Sequence, residues 1–461
     1  MSKIEVDTIA PQSGTTVTVG ESGDTVTIPT GVTLDASNAT TTLPANVVTT
    51  DGTQTLTNKS IAATQLTGTV ATSNLGTGTA DATTFLRGDQ TYASATPAAG
   101  SITTTQLAYN PNSFRNIIIN GDMNIAQRGT STTGVTTSDG YYACDRWYSQ
   151  TDIGTWTISQ STDVPTGQGF VNSFKMDCTS AGTGNADEVM IRQKFEGQNL
   201  QYLKYGTANA ESLTLSFWIK SNKIGNYYLA MANTNTTQNR VVSFGYSIDS
   251  ADTWEKKTIT IPGDTSQGFD NSNVENFTLF WLFSAASGFT SGGVSNTWIN
   301  YAANRFANSD LAGLGGSTSD YVNVTGVQLE AGTSASDFEF LPYDVNLQRC
   351  QRYYYLHARG AGQQIGNGSF YNSSDARCVI FFPTTMRSQP SIVSSNNTND
   401  FRFLANGTSY YSPSVETPGG TNQFTMEAIY TPSLTGSPTG GHAFYLVCGN
   451  STSLLAFNSE L

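Results

Sequence analysis

Ser212-Leu213-Thr214-Leu215-Ser216-Phe217-Trp218-Ile219-Lys220 alternates polar and apolar side chains with a period of two. That is the pattern of a β-strand with one face against a core. Trp254-Glu255-Lys256-Lys257-Thr258-Ile259-Thr260-Ile261-Pro262 repeats it, as do the runs Val274 to Phe283 and Tyr321 to Leu329. Turns rich in Gly, Asn and Ser separate them, so the expectation is an antiparallel sandwich over residues 116–345. Further along, Arg377-Cys378-Val379-Ile380-Phe381-Phe382, Phe401-Arg402-Phe403-Leu404 and Ala443-Phe444-Tyr445-Leu446-Val447 alternate again. They predict a smaller, Trp-free β-sandwich over 346–461, entered through Leu347 to Tyr355 as a short helix or strand. The fold class is therefore all-β.

Composition agrees. Of 461 residues only 12% are charged, against about 25% in ordinary globular chains. Gly is abundant at 44, which favours short strands and turns over helical bundles. Two histidines, His357 and His442, exclude a three-His metal site and leave little room for a Ser/His/Asp triad. Neither is assigned a role, and no cofactor is expected. A net charge of −13 with 22 basic residues argues against a surface that tracks phosphates, so nucleic acid is not an expected partner. Five scattered cysteines without a C-x-x-C pair read as buried free thiols of a chain made in reducing cytoplasm. No apolar run approaches the ~18 residues of a membrane helix. Met1 to Asp7 lacks a signal-peptide layout, so secretion is not the expected route out of the cell.

The first 108 residues differ in kind: they hold 29 threonines, three basic residues and only two aromatics, Phe85 and Tyr92. One copy could not bury enough apolar surface to offset its ordering entropy. Yet Thr16 to Val19, Thr25 to Ile28 and Val32 to Leu34 alternate as strands, and Ser60-Ile61-Ala62-Ala63-Thr64-Gln65-Leu66 recurs as Ser101-Ile102-Thr103-Thr104-Thr105-Gln106-Leu107. Three chains wound together would cover these thin apolar edges along a shared axis. The expectation is an elongated homotrimeric stalk, with disorder as the other reading.

Several segments resemble bacteriophage tail fibres, especially those of marine and cyanobacterial phages. Lys3-Ile4-Glu5-Val6-Asp7-Thr8-Ile9 through Gly23-Asp24-Thr25-Val26-Thr27-Ile28-Pro29 resembles their virion-proximal starts. Thr53-Gln54-Thr55-Leu56-Thr57-Asn58-Lys59-Ser60-Ile61 and Ala80-Asp81-Ala82-Thr83-Thr84-Phe85-Leu86-Arg87-Gly88-Asp89 are similar to fibre repeats, although Gln90-Thr91-Tyr92 stands where Gly-Thr-Trp is common. Asn116-Ile117-Ile118-Ile119-Asn120-Gly121-Asp122-Met123 resembles the first strand of carbohydrate-binding-module jelly rolls, and Val324 to Gly332 their closing strand. Cys350-Gln351-Arg352-Tyr353-Tyr354, Phe382 to Pro390 and Ser459-Glu460-Leu461 are similar to fibre tips. The resemblance implies an anchor over 1–35 that meets tail tube or adaptor proteins, and a trimeric stalk over 36–115. It further implies a jelly roll over 116–345 and a receptor-binding tip over 346–461. The partner would be a host surface polysaccharide or lipopolysaccharide, and the chain would sit in the virion tail after assembly in host cytoplasm.

A glycan site needs aromatic faces for sugar C–H surfaces, edged by amides and carboxylates for the hydroxyls. In the tip, Phe370-Tyr371-Asn372-Ser373-Ser374-Asp375 and Asn406-Gly407-Thr408-Ser409-Tyr410-Tyr411 offer both. The candidates are Tyr371, Asn372, Asp375, Tyr410 and Tyr411, each tyrosine having cross-strand core packing as its rival role. In the larger sandwich, Tyr141, Tyr142, Trp147, Tyr227 and Tyr228 could serve instead. Trp147, Trp156, Trp218, Trp254 and Trp281 read as core. Asp187-Glu188, Asp337 with Glu339, and Asp249 with Asp252 are close enough in sequence to raise glycoside hydrolysis, but acids in turns are ordinarily solvated and no enzyme is expected. The rival functions are a depolymerase tailspike and a structural connector carrying another adhesin. Arg87-Gly88-Asp89 reads as a tight turn, and Asn-x-Ser/Thr triplets such as Asn396-Asn397-Thr398 as chance. The resemblance to jelly-roll modules implies a structural calcium near the first and last strands, where Asp122 and Glu330 stand, but a site of about six oxygens is not assembled by sequence, and the metal is left open.

Overall fold

The computed structural model describes residues 6–33, 77, 84–86, 91–94 and 114–461, apart from 138, 183–187, 235–238, 417–421, 424 and 427–433. Two units are present, Met1–Thr96 and Pro97–Leu461. In the first, Thr84–Leu86 pairs antiparallel with Tyr92–Ser94. Residues 6–33 form no strand, and Val17, Val19, Val26, Ile28 and Val32 are exposed. The strands expected at 16–19 and 25–28 are thus not formed within one chain. Alternation supplies an apolar edge, but a strand needs a ladder partner and a covering layer to persist. Most of 36–115, both copies of the recurring heptad, Arg87-Gly88-Asp89 and Asp187 lie outside the described residues.

The second unit begins with a two-layer sandwich whose ladders all run antiparallel. One sheet places Ile299–Asn300, Asn239–Ile248, Gly225–Thr234, Glu275–Ser284, Val189–Glu196, Tyr148–Thr151 and Gly140–Tyr141 side by side. The facing sheet runs Glu255–Ile261, Leu213–Ser221, Tyr321–Ala331, Ser173–Ser180, Thr155–Ser161 and Ser131–Val135. Leu213, Leu215, Phe217 and Ile219 all project into the core, where Trp147, Trp156 and Trp281 are also fully buried. The Trp147 and Trp281 rings meet at 5.5 Å. Trp218 and Trp254 depart from the expectation and stand only partly buried, outside that core. Trp218 is one residue out of phase with Phe217 and Ile219, so the period of two turns it to the outer face.

Residues 116–123, expected as the first strand, are instead an irregular segment stitched by side-chain amides. Asn116 Nδ2 donates to the Val327 carbonyl at 3.1 Å, while its Oδ1 accepts from the amides of Ile118 and Leu329, both at 3.0 Å. Asn120, with φ +59°, donates to the carbonyls of Ile125 and Asp145 and accepts from the Ile125 amide. Left-handed backbone is tolerable for Asn because its short polar side chain bonds locally. The buried polar backbone is satisfied without a ladder, which is why strand pattern alone misreads it.

A helix, Tyr343–Gln351, follows, begun by Pro342 and succeeded by the strand Tyr354–Arg359. The chain then builds a three-stranded sheet, Tyr354–Arg359, Leu454–Asn458 and Ser391–Ser394. A five-stranded sheet carries Ala376–Cys378, Gln364–Phe370, Ala443–Cys448, Phe401–Ala405 and Thr408–Ser412 in that order. They share a core containing Phe370, Phe401, Phe403, Phe444, Leu446 and Phe457. All five cysteines are buried and free.

The two cores meet along a polar seam. Arg146, wholly buried, pairs with Glu460 and stacks on Tyr353 at 3.5 Å from the ring centre. Arg128 reaches the same carboxylate at 3.2 Å. Arg387 donates to the carbonyls of Ser459, Glu460 and Asn273 at 2.6, 3.0 and 3.1 Å. Planar guanidinium groups with several donors suit such a join better than ammonium groups would.

Candidate functional site

The outer face of the five-stranded sheet can be read from its register. Ser369 lies between Arg377 and Ala443, Asn367 and Leu404 flank Tyr445, and Arg402 lies between Val447 and Tyr411. Buried Phe370, Phe403 and Phe444 alternate with these positions, so the set points away from the core. Tyr371 is 62% exposed, and the Arg377 guanidinium sits over its ring at 3.9 Å. Tyr445 is exposed in mid-sheet, and Tyr411 is half-buried on the far edge strand. Four inter-strand steps of about 4.8 Å separate the edges, roughly 19 Å in all. Tyr371 and Tyr445 thus stand exposed on this outer face with Arg377 and Asn367, whereas beside Tyr411 the face is covered, with Val447 only 1% exposed and Arg402 Nε buried.

The five candidate residues fall into three roles. Tyr371, Asn372 and Asp375 come together in one turn. Asn372 Oδ1 accepts from the Ser374 amide at 2.7 Å, the Ser374 hydroxyl at 2.9 Å and the Asp375 amide at 2.8 Å, and its Nδ2 donates to Asp375 Oδ2 at 2.5 Å. Its amide is spent on building the turn, which leaves Tyr371 presented at the surface. Tyr411 shares the outer face through its pairing with Arg402. Tyr410, one residue out of phase, packs edge-on against Phe370 at 5.2 Å and belongs with the core. Tyr445 was missed by sequence reasoning that searched the loops. The alternation Ala443-Phe444-Tyr445-Leu446, with Phe444 and Leu446 inward, could have found it.

The larger sandwich presents two further surfaces. Around Trp218, a groove of about 330 Å³ is lined by Phe170, Phe338, Phe340, Lys256 and Asp337. The three phenylalanine rings pack at 4.8–5.2 Å. Gly326, at φ +61°, lies under them, and a β-carbon there would come within 2.5 Å of Phe170. A wider cleft of about 760 Å³ holds Tyr228, Phe244, Asn296, Asn308 and Asp310. The Tyr228 hydroxyl donates to Asp310, and hydrogen bonding from Tyr228 holds the Asp310 carboxyl below its ordinary range. Elsewhere in this sandwich Trp147 and Tyr227 are fully buried, while Tyr141 and Tyr142 are half-buried.

The remaining acids and histidines have structural partners. Glu339 caps the amides of Phe114 and Asn116 at 2.6 and 2.8 Å, and Glu188 accepts from Gln150 at 2.8 Å. Asp252 accepts from Tyr321, and Asp249 faces Lys257 at 3.5 Å. Asp122 accepts from Asn124 and Asn346, whereas Glu330 accepts from Gln328 and Ser336. Among the described residues no group of three or more His, Cys, Asp or Glu could hold a metal ion. His357 bonds Tyr355 and the Ile365 carbonyl, and burial lowers its pKa. His442 bonds Asn406.

No protein-family model and no curated protein matches the sequence. Among solved structures, the chain is similar to the enzymatically active domain of bacteriophage CBA120 tailspike protein 4, at 15% identity and TM-score 0.26 over 47% of this chain and 21% of that one. The chain thus spans about a fifth of the tailspike domain it matches. It is also similar to the CBM22-2 xylan-binding domain of Paenibacillus barcinonensis Xyn10C, at 14% identity and TM-score 0.23 over 40% and 91% of the two chains. A third is the family 11 carbohydrate-binding module of Clostridium thermocellum, at 14% identity and TM-score 0.20 over 45% and 98%. The architecture described above rests on the sheets of this chain.

Proposed function

We propose that the chain is a phage tail fibre whose C-terminal β-region attaches the virion to a host surface glycan. The observation that carries this reading is the outer face bearing exposed Tyr371 and Tyr445 with Arg377 and Asn367 beside them, and half-buried Tyr411 at its far edge. Exposed tyrosine rings offer flat apolar area to sugar C–H faces, and the interleaved polar groups supply hydroxyl partners at low ordering cost. Such contacts are individually weak. Three copies per fibre, and several fibres per virion, would raise effective concentration and lengthen residence. An overall charge of −13 discourages indiscriminate adhesion to anionic envelopes, which leaves selectivity to the face itself.

Trimerisation supplies what residues 6–33 lack in one chain. Their exposed valines and isoleucines gain cover when three copies share an axis. The reading is of a non-enzymatic adhesin. Its test is to incubate the purified chain with host envelope polysaccharide while measuring its mass by light scattering coupled to size exclusion. A mass near three chains, retention on the polysaccharide and unchanged polymer length are expected. Shortened polymer would make the chain a depolymerase instead. A monomer that ignores the polymer would overturn the fibre reading.

A further inference from the structure

Where the helix Tyr343–Gln351 lies against the larger sandwich, a cavity of about 290 Å³ opens between them. It is separate from the tyrosine face. Its floor is apolar, formed by Ile119, Phe195 and Leu200, all buried. Its rim carries two exposed rings, Phe114 at 63% and Tyr202 at 51%. Arg349 and Arg352 reach it side by side but in different electrostatic states. Arg352 is neutralised by Glu196 at 2.6 Å. Arg349 donates to the Asn116 carbonyl at 3.2 Å and forms no ion pair among the described residues. Burial pushes its pKa below the ordinary guanidinium range. A guanidinium stays charged in proteins, and the carboxylate that acts on Arg349, Glu339, is itself taken by the amides of Phe114 and Asn116, so the desolvation cost of this cation is only partly compensated. A carboxylate entering beside it would offset that cost through paired N–H donors.

The remaining features narrow the class of anion. Tyr202 offers an aromatic face at the mouth, and Asn199, exposed on the same 3₁₀ segment Gly197–Leu203, offers an amide. The volume lies near the ~300 Å³ lower end of ligand pockets, which fits one ring rather than an oligosaccharide. We propose that this cavity binds a single carboxylate-bearing sugar residue of the uronic-acid class, with the carboxylate on Arg349, the ring face on Tyr202 and a hydroxyl on Asn199. Because the site shares no residue with the tyrosine face, it stands or falls independently of that face.

The test titrates glucuronate, glucose and acetate separately into the full chain at neutral pH by calorimetry. Glucuronate should bind at least about tenfold more tightly than either comparison compound, a gap of about 1.4 kcal/mol. Arg349→Gln should weaken glucuronate about tenfold or more, and Tyr202→Ala several-fold with an unchanged melting temperature. Glucose binding as tightly as glucuronate would overturn the carboxylate half of the proposal, and acetate doing so would overturn the sugar half. No glucuronate binding at millimolar concentration would overturn both. Should Arg349→Gln fail to fold, Tyr202→Ala decides, since undiminished glucuronate affinity in that variant contradicts the site.

Discussion

Arg352 and Glu196 join the helix-bearing segment to the larger sandwich through two parallel hydrogen bonds, Nε to Oε1 at 2.7 Å and Nη2 to Oε2 at 2.6 Å. The Glu196 carboxylate is fully buried and also accepts from the Tyr353 hydroxyl and from Gln198. With Glu460 held by Arg128 and Arg146, the pair makes the seam between the two β-regions a bonded interface. The smaller region is thereby tied to the larger one by buried, charge-assisted hydrogen bonds.

Burial alone would raise the Glu196 pKa, but hydrogen bonds from Arg352 and Tyr353 outweigh it and hold it below 4.5. A carboxyl depressed on folding adds stability that is complete above its unfolded pKa and is lost as pH falls through its folded value. Arg352→Ala is expected to cost about 3 kcal/mol near neutral pH, since it strands a buried carboxylate. The deficit should shrink as pH falls, because Glu196 of the variant, still buried but without its arginine, takes up a proton before the wild-type carboxyl does. Urea unfolding of both proteins at several pH values reads this directly, and a pH-independent deficit would contradict it.

Asp145 works with the opposite sign. Burial raises its pKa from 3.8 to about 6, against the lowering effects of Arg128 and Gln127. Between those values the folded chain keeps a proton that the unfolded chain has released, so this group's contribution falls as pH rises through the window. Asp145→Asn should therefore gain on the wild type in melting temperature between pH 3.8 and about 6. A constant difference across that range would show that Asp145 does not titrate there.

The segment that replaces the expected first strand is sensitive to small changes. Asn120→Ala removes three side-chain hydrogen bonds and strands buried backbone groups, at about 1–3 kcal/mol apiece. A β-carbon on Gly121 would fall 2.1 Å from the Val327 carbonyl oxygen, so Gly121→Ala should cost more than about 2 kcal/mol. Thermal melts of the two variants check both values, and wild-type stability in either would contradict the stitched geometry.

How much of this was legible follows from the physics of each element. Strand period survives in Leu213, Leu215, Phe217 and Ile219 because a buried face forces it, and the sandwich followed from that pattern. The same period decided the fates of Trp218 and Tyr445, which a reading by residue type sent to the core or overlooked. Asn116 to Met123 was misread because side-chain amides, rather than a ladder, satisfy its backbone. Nothing local in sequence signals that exchange. Asn372 likewise carries a turn signal and a sugar-binding signal in the same atoms, and only geometry shows the turn using them. The ion pair of Arg146 with Glu460 spans 314 positions, a separation at which no periodicity connects partners.

The tyrosine face makes a distinction between neighbours that one experiment reads. Purified wild type, Tyr371→Ala, Tyr411→Ala, Tyr445→Ala and Tyr410→Ala would be applied to an array of bacterial surface polysaccharides, with melting temperatures recorded in parallel. Binding of the wild type to a restricted set of glycans is expected. The three outer-face variants should lose about tenfold or more in affinity at unchanged stability, and Tyr410→Ala should lose about 1–2 kcal/mol of stability through its contact with Phe370. No glycan bound by the wild type, or full binding by all three outer-face variants, would contradict the assignment of this face to host attachment.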